Sequence, residues 1–376
     1  MIIPLLTYLL LFIVPLIVVP GISLRFEPPK VLVAELLILA MAVFTLLKGK
    51  FAFKTVNRTL IGILGCLFFL SLFHLILNPT QQNLFGNIFR LQGTILFWHL
   101  LMLTLVAQSS YFRLNARHVY LCSFVAILIG GLIYGSNTNG RWIGSLGEPN
   151  AYGAVIILMF PFIFLSSKSV WTRAIALIGT TGVLYFSQSR SALIAFCLQL
   201  LFILMVRFLK GRQLLASIIC LLLLGCSLSL PILEREYFLR TNSDPFAYRF
   251  EDRAEIWGVA VNAGFNSPIF GSGLESIQSQ IKETAQEMNV NAQFQTIDSS
   301  HNLLLDYWIW GGVVGLSLFI LLIVLSIKNL VRKKLVLETT VFIGVLTVML
   351  FNPTTVAVLA GFWWVIGRSF AKIDEL

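Results

Sequence analysis

Apolar stretches long enough to cross a bilayer recur from one end of this chain to the other, and the charged residues fall between them. No single motif constrains the fold as much. Twelve such segments can be marked, at roughly 2–20, 31–47, 59–77, 94–107, 119–134, 151–166, 170–186, 191–206, 214–230, 302–327, 335–351 and 353–367. Each is near the about 20 residues that a spanning helix needs. Only 12% of the 376 residues are charged, and 57% are hydrophobic, which no soluble domain matches. The expectation is an all-α polytopic membrane protein with about twelve transmembrane helices. Residues 1–231 would hold spans one to nine, 232–300 a large extracytoplasmic loop, and 301–376 spans ten to twelve. Met1 to Pro20 lacks a basic flank and a small-residue cleavage site, so it reads as a span rather than a removed signal peptide.

Lys and Arg placement orients the bundle. With the N-terminus in the cytoplasm, seventeen of the 27 basic residues fall in inside loops, every inside loop is basic, and none has to sit at mid-membrane. Both termini are then cytoplasmic. The net charge of +10 is explained by topology and calls for no nucleic-acid partner. All five cysteines lie in apolar runs, which argues against a disulfide framework or a zinc site.

The outside basic residues are nearly all arginines, and Arg90, Arg141 and Arg190 stand alone in short connections. Topology alone would place no charge there, whereas Arg suits bidentate contact with phosphate. Arg190 lies in Ser187-Gln188-Ser189-Arg190-Ser191, a turn crowded with hydroxyls. Arg141 lies in a glycine-rich turn, and such turns can present backbone amides to anions. Glu35 is a carboxylate about five residues into the second span.

The loop 232–300 carries five basic and ten acidic residues. Two helices are expected in it, from about Pro245 to Asn262 and from about Leu274 to Met288. On the first, Arg249, Arg253 and Trp257 are four apart and share a face. Tyr248, Phe250, Ile256 and Phe265 would let it lie on a membrane surface. The loop ends at His301, where an imidazole at the mouth of an apolar helix suits proton transfer or anion contact. Gly312 and Gly315 follow at helical spacing and would let a neighbouring helix approach. The chain shows no GxxxxGK[ST] loop, no paired aspartates suited to a divalent metal and no HExxH. No metal or other cofactor is expected.

His301-Asn302, nine residues, then Gly312-Val313-Val314-Gly315 resembles the hallmark of the O-antigen ligase and polymerase superfamily, closest to its ligase branch. Ser145-Leu146-Gly147-Glu148-Pro149-Asn150 is near the family's Gly-x-x-x-Pro-Asn stretch, and the turn at 187–191, Arg253 with Trp257, and Pro268, Gly271 and Gly273 follow the family's pattern in the same order. The resemblance covers about 140–316. It implies a GT-C-like glycosyltransferase at the outer face of the bacterial inner membrane. Such enzymes move a glycan from a polyprenyl-diphosphate carrier to an acceptor hydroxyl, with inversion and with neither metal nor nucleotide. For the ligases the acceptor is lipid A–core. By this resemblance the catalytic residues are His301, Arg190 and Arg253. The expected substrate-binding residues are Arg249, Arg141, Ser189, Asn302 and Trp257, with the polyprenyl tail in a groove that faces lipid. A polymerase of the same superfamily and a protein O-oligosaccharyltransferase share this donor chemistry. A transporter is disfavoured, because the polar groups gather on one face instead of at mid-membrane.

A single cysteine at Lys282 in a cysteine-free background should react with a membrane-impermeant maleimide in spheroplasts. Labelling only after the membrane is permeabilised would reverse the orientation.

Overall fold

The structure is a computed structural model that describes residues 2–22, 24–47, 57–109, 117–137, 140–206, 208, 253–274, 276–289 and 297–372. Among these residues every regular element is a helix. They are α1 (Ile2–Tyr8), α2 (Glu27–Leu47), α3 (Arg58–Leu77), α4 (Gln81–Phe85), α5 (Thr94–Ser109), α6 (Arg117–Tyr134), α7 (Pro149–Ser166), α8 (Val170–Ser187), α9 (Arg190–Met205), α10 (Arg253–Phe265), α11 (Ser276–Glu287), α12 (Leu303–Arg332), α13 (Val336–Met349) and α14 (Val356–Phe370). By length and composition α2, α3, α7 and α12 can cross a membrane, and six further apolar helices have 10–17 residues. The expected span 214–230 lies outside the described residues.

Three helices form the centre. Nearly every residue of α7, α13 and α14 is buried, as expected of helices that are apolar all round. α5 packs on α14, and α9 packs on α13. Polar side chains then tie helix to helix. Gln199 of α9 donates to the carbonyls of Ile157 (3.1 Å) in α7 and Thr340 (3.0 Å) in α13. Among apolar helices such bonds supply the specificity that hydrophobicity cannot. The outer faces of α2, α3 and α8 expose Leu36, Phe69, Ile76 and Trp171, a surface suited to lipid.

The first segment is not one helix, as the sequence suggested. After α1 the chain widens into a π-turn at Leu9–Ile13 and tightens into a 3-10 turn at Val14–Leu16. Pro15 has no N–H to continue the ladder, and its carbonyl accepts the Ser145 hydroxyl at 2.8 Å. Lys30 is fully buried and donates to the carbonyls of Phe26 and Ser145, both at 2.8 Å. These bonds pin the start of α2 to the connection before α7.

The second expectation that changes concerns Gly312. Its φ of 59° and ψ of −156° break α12. The loop before α11 fills the break. Val313 and Val314 donate their N–H groups to the carbonyls of Pro268 (2.8 Å) and Ile269 (3.1 Å), while Ser272 and Gly273 donate to those of Ile309 (2.9 Å) and Trp310 (3.0 Å). The four backbone groups that lose their helical partners therefore all regain one, as an apolar setting demands. Gly271 lets this loop come so close that a Cβ would lie 2.1 Å from the Trp310 carbonyl oxygen. Gly315 does face another helix, with Leu70 of α3 at 3.3 Å from where its Cβ would be.

α10 and α11 match the two loop helices, with α10 described from Arg253 onward. Ile256 does not face a membrane surface. It joins Val259, Ala263, Ile281, Ala285, Ile297 and Ile309 in a small second core that docks the loop on the start of α12. Tyr248 and Phe250 lie outside the described residues.

Gly312→Ala should lower the thermal unfolding midpoint in detergent. A side chain held at positive φ costs about 1–3 kcal/mol, and the new Cβ would lie 2.6 Å from the Ile269 carbonyl carbon. An unchanged midpoint would contradict the role given to the break.

Candidate active site

Antiparallel helices bring the connections 78–93, 135–148, 188–189 and 350–355 to one end of the bundle, where α12 also begins. The predicted residues gather there. Arg141 donates through Nε to the Ser187 carbonyl at 2.8 Å and through one terminal nitrogen to Asn150 Oδ1 at 2.9 Å. Beneath it, Trp142 stacks on Phe186 with ring centroids 4.1 Å apart. The crowded turn thus closes on Arg141 from below. Gln188 ends α8 in the left-handed region with φ 50°, and Arg190 opens α9, half-buried.

One short connection joins these arginines to the loop. Asn352, between α13 and α14, accepts from Arg253 at 3.0 Å and donates to the Ser191 hydroxyl. Two residues on, the Thr354 carbonyl accepts from Arg90 at 3.0 Å and from Gln92 at 2.9 Å. Glu27 reaches across from α2 to take the Val356 N–H at 2.6 Å. Arg90 is ion-paired with Asp298, and each side chain is 22% exposed. Removing one partner of a fully buried pair costs about 3–5 kcal/mol; partial exposure makes this pair weaker.

His301 stands in the left-handed region with φ 57°, a conformation that a non-glycine residue adopts only when its surroundings hold it. Its N–H donates to the Ser299 hydroxyl at 3.3 Å. Asp306 accepts from the Ser300 N–H (2.8 Å) and hydroxyl (2.7 Å) and so locks the turn from inside α12. Burial pushes the His301 imidazole down to about 4; Arg253 and Arg90 push the same way, and Asp298 opposes them. The ring is therefore neutral at neutral pH and can accept a proton or a hydrogen bond. Glu148 lies between Arg90 and Arg141. Burial raises its carboxyl above the usual range, and the two arginines pull it back.

Other predicted residues have plainer positions. Asn302 caps α12 by accepting from Leu304 (3.0 Å) and Leu305 (3.3 Å), a structural task that its motif position did not reveal. Ser189 is buried, 3.4 Å from the Ser191 hydroxyl. Trp257 packs on Phe351 at 6.0 Å, and its buried indole N–H meets no acceptor among the described residues. Arg249 lies outside them. Glu35 faces His99 of α5 at 4.0 Å, away from this cluster. Asn352, Thr354, Asp298 and Glu148 were not singled out from the sequence. Arg90 was noticed only as an oddity of charge placement.

Against Ser299 and Leu303, on either side of His301 in the chain, opens a cavity of about 140 Å³ that His301 itself does not line. Arg90, Gln92, Asp298 and Thr354 line its polar end, while Phe97, Trp310, Phe319 and Trp363 line its apolar depth. Guanidinium groups and an imidazole are groups that can meet an anion and accept a proton.

The O-antigen ligase family model matches residues 174–320, the stretch from α8 through the break in α12. Over this stretch the chain is similar to the O-antigen ligase family. A curated relative, the ComP-specific O-oligosaccharyltransferase of Acinetobacter baylyi, is 28% identical over 225 residues. The match covers 56% of this chain and 40% of the relative, so the chain spans less than half the length of that relative.

His301 contributes to stability against acid with a definite sign. Its pKa is lower folded than unfolded, so the unfolded chain binds the proton more readily and stability is lost as pH falls from about 6.5 toward about 4. His301→Gln removes this penalty. Between pH 7 and pH 4.5 the wild-type unfolding midpoint should fall further than that of His301→Gln. Parallel falls would show that the ring is not buried in its neutral form.

Proposed function

We propose that this chain is a membrane glycosyltransferase of the O-antigen ligase superfamily that moves a glycan from a polyprenyl-diphosphate carrier to an acceptor hydroxyl at the outer face of the bacterial inner membrane, with inversion. One observation carries the reading: the 350–355 connection takes Arg253 through Asn352, which also meets Ser191 next to Arg190, and takes through Thr354 the Arg90 that pairs with Asp298 of the His301 turn. In the step inferred, the acceptor oxygen attacks the anomeric carbon, the bond to the diphosphate oxygen breaks, and the acceptor proton passes to His301 Nδ1 or Nε2. The leaving diphosphate gains negative charge, which Arg190 and Arg253, with Arg141 beside them, are suited to hold. Arg249 belongs to the same proposal from its place in the sequence. The polyprenyl tail would lie along the lipid-facing apolar surface.

Lipid A–core is the first acceptor proposed. A protein hydroxyl is the second, and the O-oligosaccharyltransferase relative favours it. The two are separated by incubating the protein in nanodiscs with a polyprenyl-diphosphate-linked glycan and lipid A–core, ComP, or no second acceptor. Transfer to lipid A–core alone marks a ligase, transfer to ComP marks a protein transferase, and chain growth on the carrier in every tube marks a polymerase. No turnover in any tube contradicts the proposal.

Arg190→Ala and Arg253→Ala should each reduce turnover about 10²–10³-fold, the range for removing a group that stabilises developing charge. His301→Ala should lose turnover while still binding the donor. Full transfer by the His301 variant would remove it from the mechanism.

A further inference from the structure

We propose that Arg90 is a positioning residue for His301: by clamping Asp298 on one side and the 350–355 connection on the other, it holds the His301 turn against the arginine run. The proposal rests on the glycosyltransferase reading for its effect on turnover, but not for its effect on the imidazole. Arg90 belongs to the connection between α4 and α5, and 208 residues separate it from Asp298. A lone cation there has no topological use. Its guanidinium is committed through Nε to the Asp298 carboxylate and through one terminal nitrogen to the Thr354 carbonyl at 3.0 Å. Gln92 closes the same connection from a second position, donating to the Thr354 carbonyl at 2.9 Å and accepting from the Thr354 hydroxyl at 3.1 Å. Arg90 therefore joins three connections that meet nowhere in the sequence.

The turn it clamps needs holding. Asp298 is three residues before His301, and His301 has a φ of 57°. Ser300, between them, is fixed on the other side by Asp306 of α12. The turn is thus held at both ends, by Asp306 from the helix and by Arg90 from across the bundle. Without Arg90, Asp298 would be a partly buried carboxylate with no cation paired to it in this way, and it would be expected to turn toward water at the cavity mouth. Residues 299–301 would move with it. Misplacing a reacting group by about 1 Å can cost a hundredfold in rate. Direct diphosphate contact is a weaker role for Arg90, because its charge is already met by the Asp298 carboxylate.

The charged groups near His301 are Asp298 of its own turn, Arg253 of α10 and Arg90. Glu148 and Glu27 face Arg90 from behind. Removing Arg90 takes away one positive neighbour and frees the turn toward water, which relieves the burial of the ring, so the His301 titration should move upward. Burial helps to hold that titration low, and Arg90 itself remains charged because Asp298, Glu148 and Glu27 together outweigh the effect of burial.

The test uses full-length protein in nanodiscs with isotope-labelled histidine. The chain has four histidines, and the His301 resonance is the one absent in His301→Gln. Titrations of the wild type, Arg90→Gln, Arg90→Lys, Asp298→Asn and the reversed pair Arg90→Asp with Asp298→Arg are compared with turnover on a polyprenyl-diphosphate glycan. Arg90→Gln should raise the His301 midpoint and Asp298→Asn should lower it. Arg90→Gln should also reduce kcat by about tenfold or more with the donor KM within about twofold. The reversed pair should recover part of the loss in kcat, which a merely structural role would not produce. An unchanged His301 midpoint in Arg90→Gln overturns the proposal, as does a kcat equal to wild type. If Arg90→Gln does not fold, Arg90→Lys decides: an intermediate kcat supports the clamp, and wild-type kcat and midpoint overturn it. The titrations need no substrate. A shifted midpoint in a protein whose wild type transfers nothing would contradict the function and not the clamp.

Discussion

A charge enclosed by apolar helices is costly unless another group meets it, and one end of this bundle is organised by that constraint. Arg90 meets Asp298. Arg253 meets Asn352, and Arg141 meets the end of α8 and Asn150. Lys30 is satisfied by two carbonyls. Arg90–Asp298, Arg253–Asn352, Arg141–Ser187 and Lys30–Ser145 each join segments distant in the chain, so satisfying the charges also fixes how the connections sit. The geometry that a site needs then comes from the same bonds that make enclosed charge tolerable. The 350–355 connection is central, because Asn352 and Thr354 receive arginines from opposite sides.

The backbone obeys a matching constraint. α12 cannot simply stop in apolar surroundings, since its freed N–H and C=O groups would lack partners. The loop 267–273 supplies all four partners at the Gly312 break. It leads directly into α11, which joins α10 in the second core against Ile309 of α12. The segment that holds α10 and α11 is thereby registered on α12, whose start follows His301, and Arg253 is delivered from α10. The Pro-x-x-Gly-x-Gly and Gly-x-x-Gly stretches form two halves of one splint.

Much of this was legible in the sequence, for physical reasons. Apolar runs of spanning length locate helices whatever packs on them, and the helices found lie close to those expected. Arg141, Arg190 and Arg253 stood out because a cation in an outside connection or beside a lone Trp has few structural uses. What was not legible depended on partners remote in sequence. Arg90 gave no hint of Asp298, and Asn352 and Thr354 looked like the polar gap between two apolar runs. Gly312 was read as a packing glycine because small-residue spacing is the same for close helix contact and for a break. Asn302 was read as part of a motif when its nearest bonds are those of a helix cap.

The central claim is that the arginine run is built to hold a diphosphate. It is tested most directly by the affinity of the purified protein for polyprenyl diphosphate and polyprenyl monophosphate of equal chain length, followed by native mass spectrometry in nanodiscs. The account predicts at least about tenfold tighter binding of the diphosphate, equivalent to about 1.4 kcal/mol, and loss of that preference when Arg190 and Arg253 are both replaced by glutamine. Equal affinity for the two lipids in the wild-type protein would contradict it.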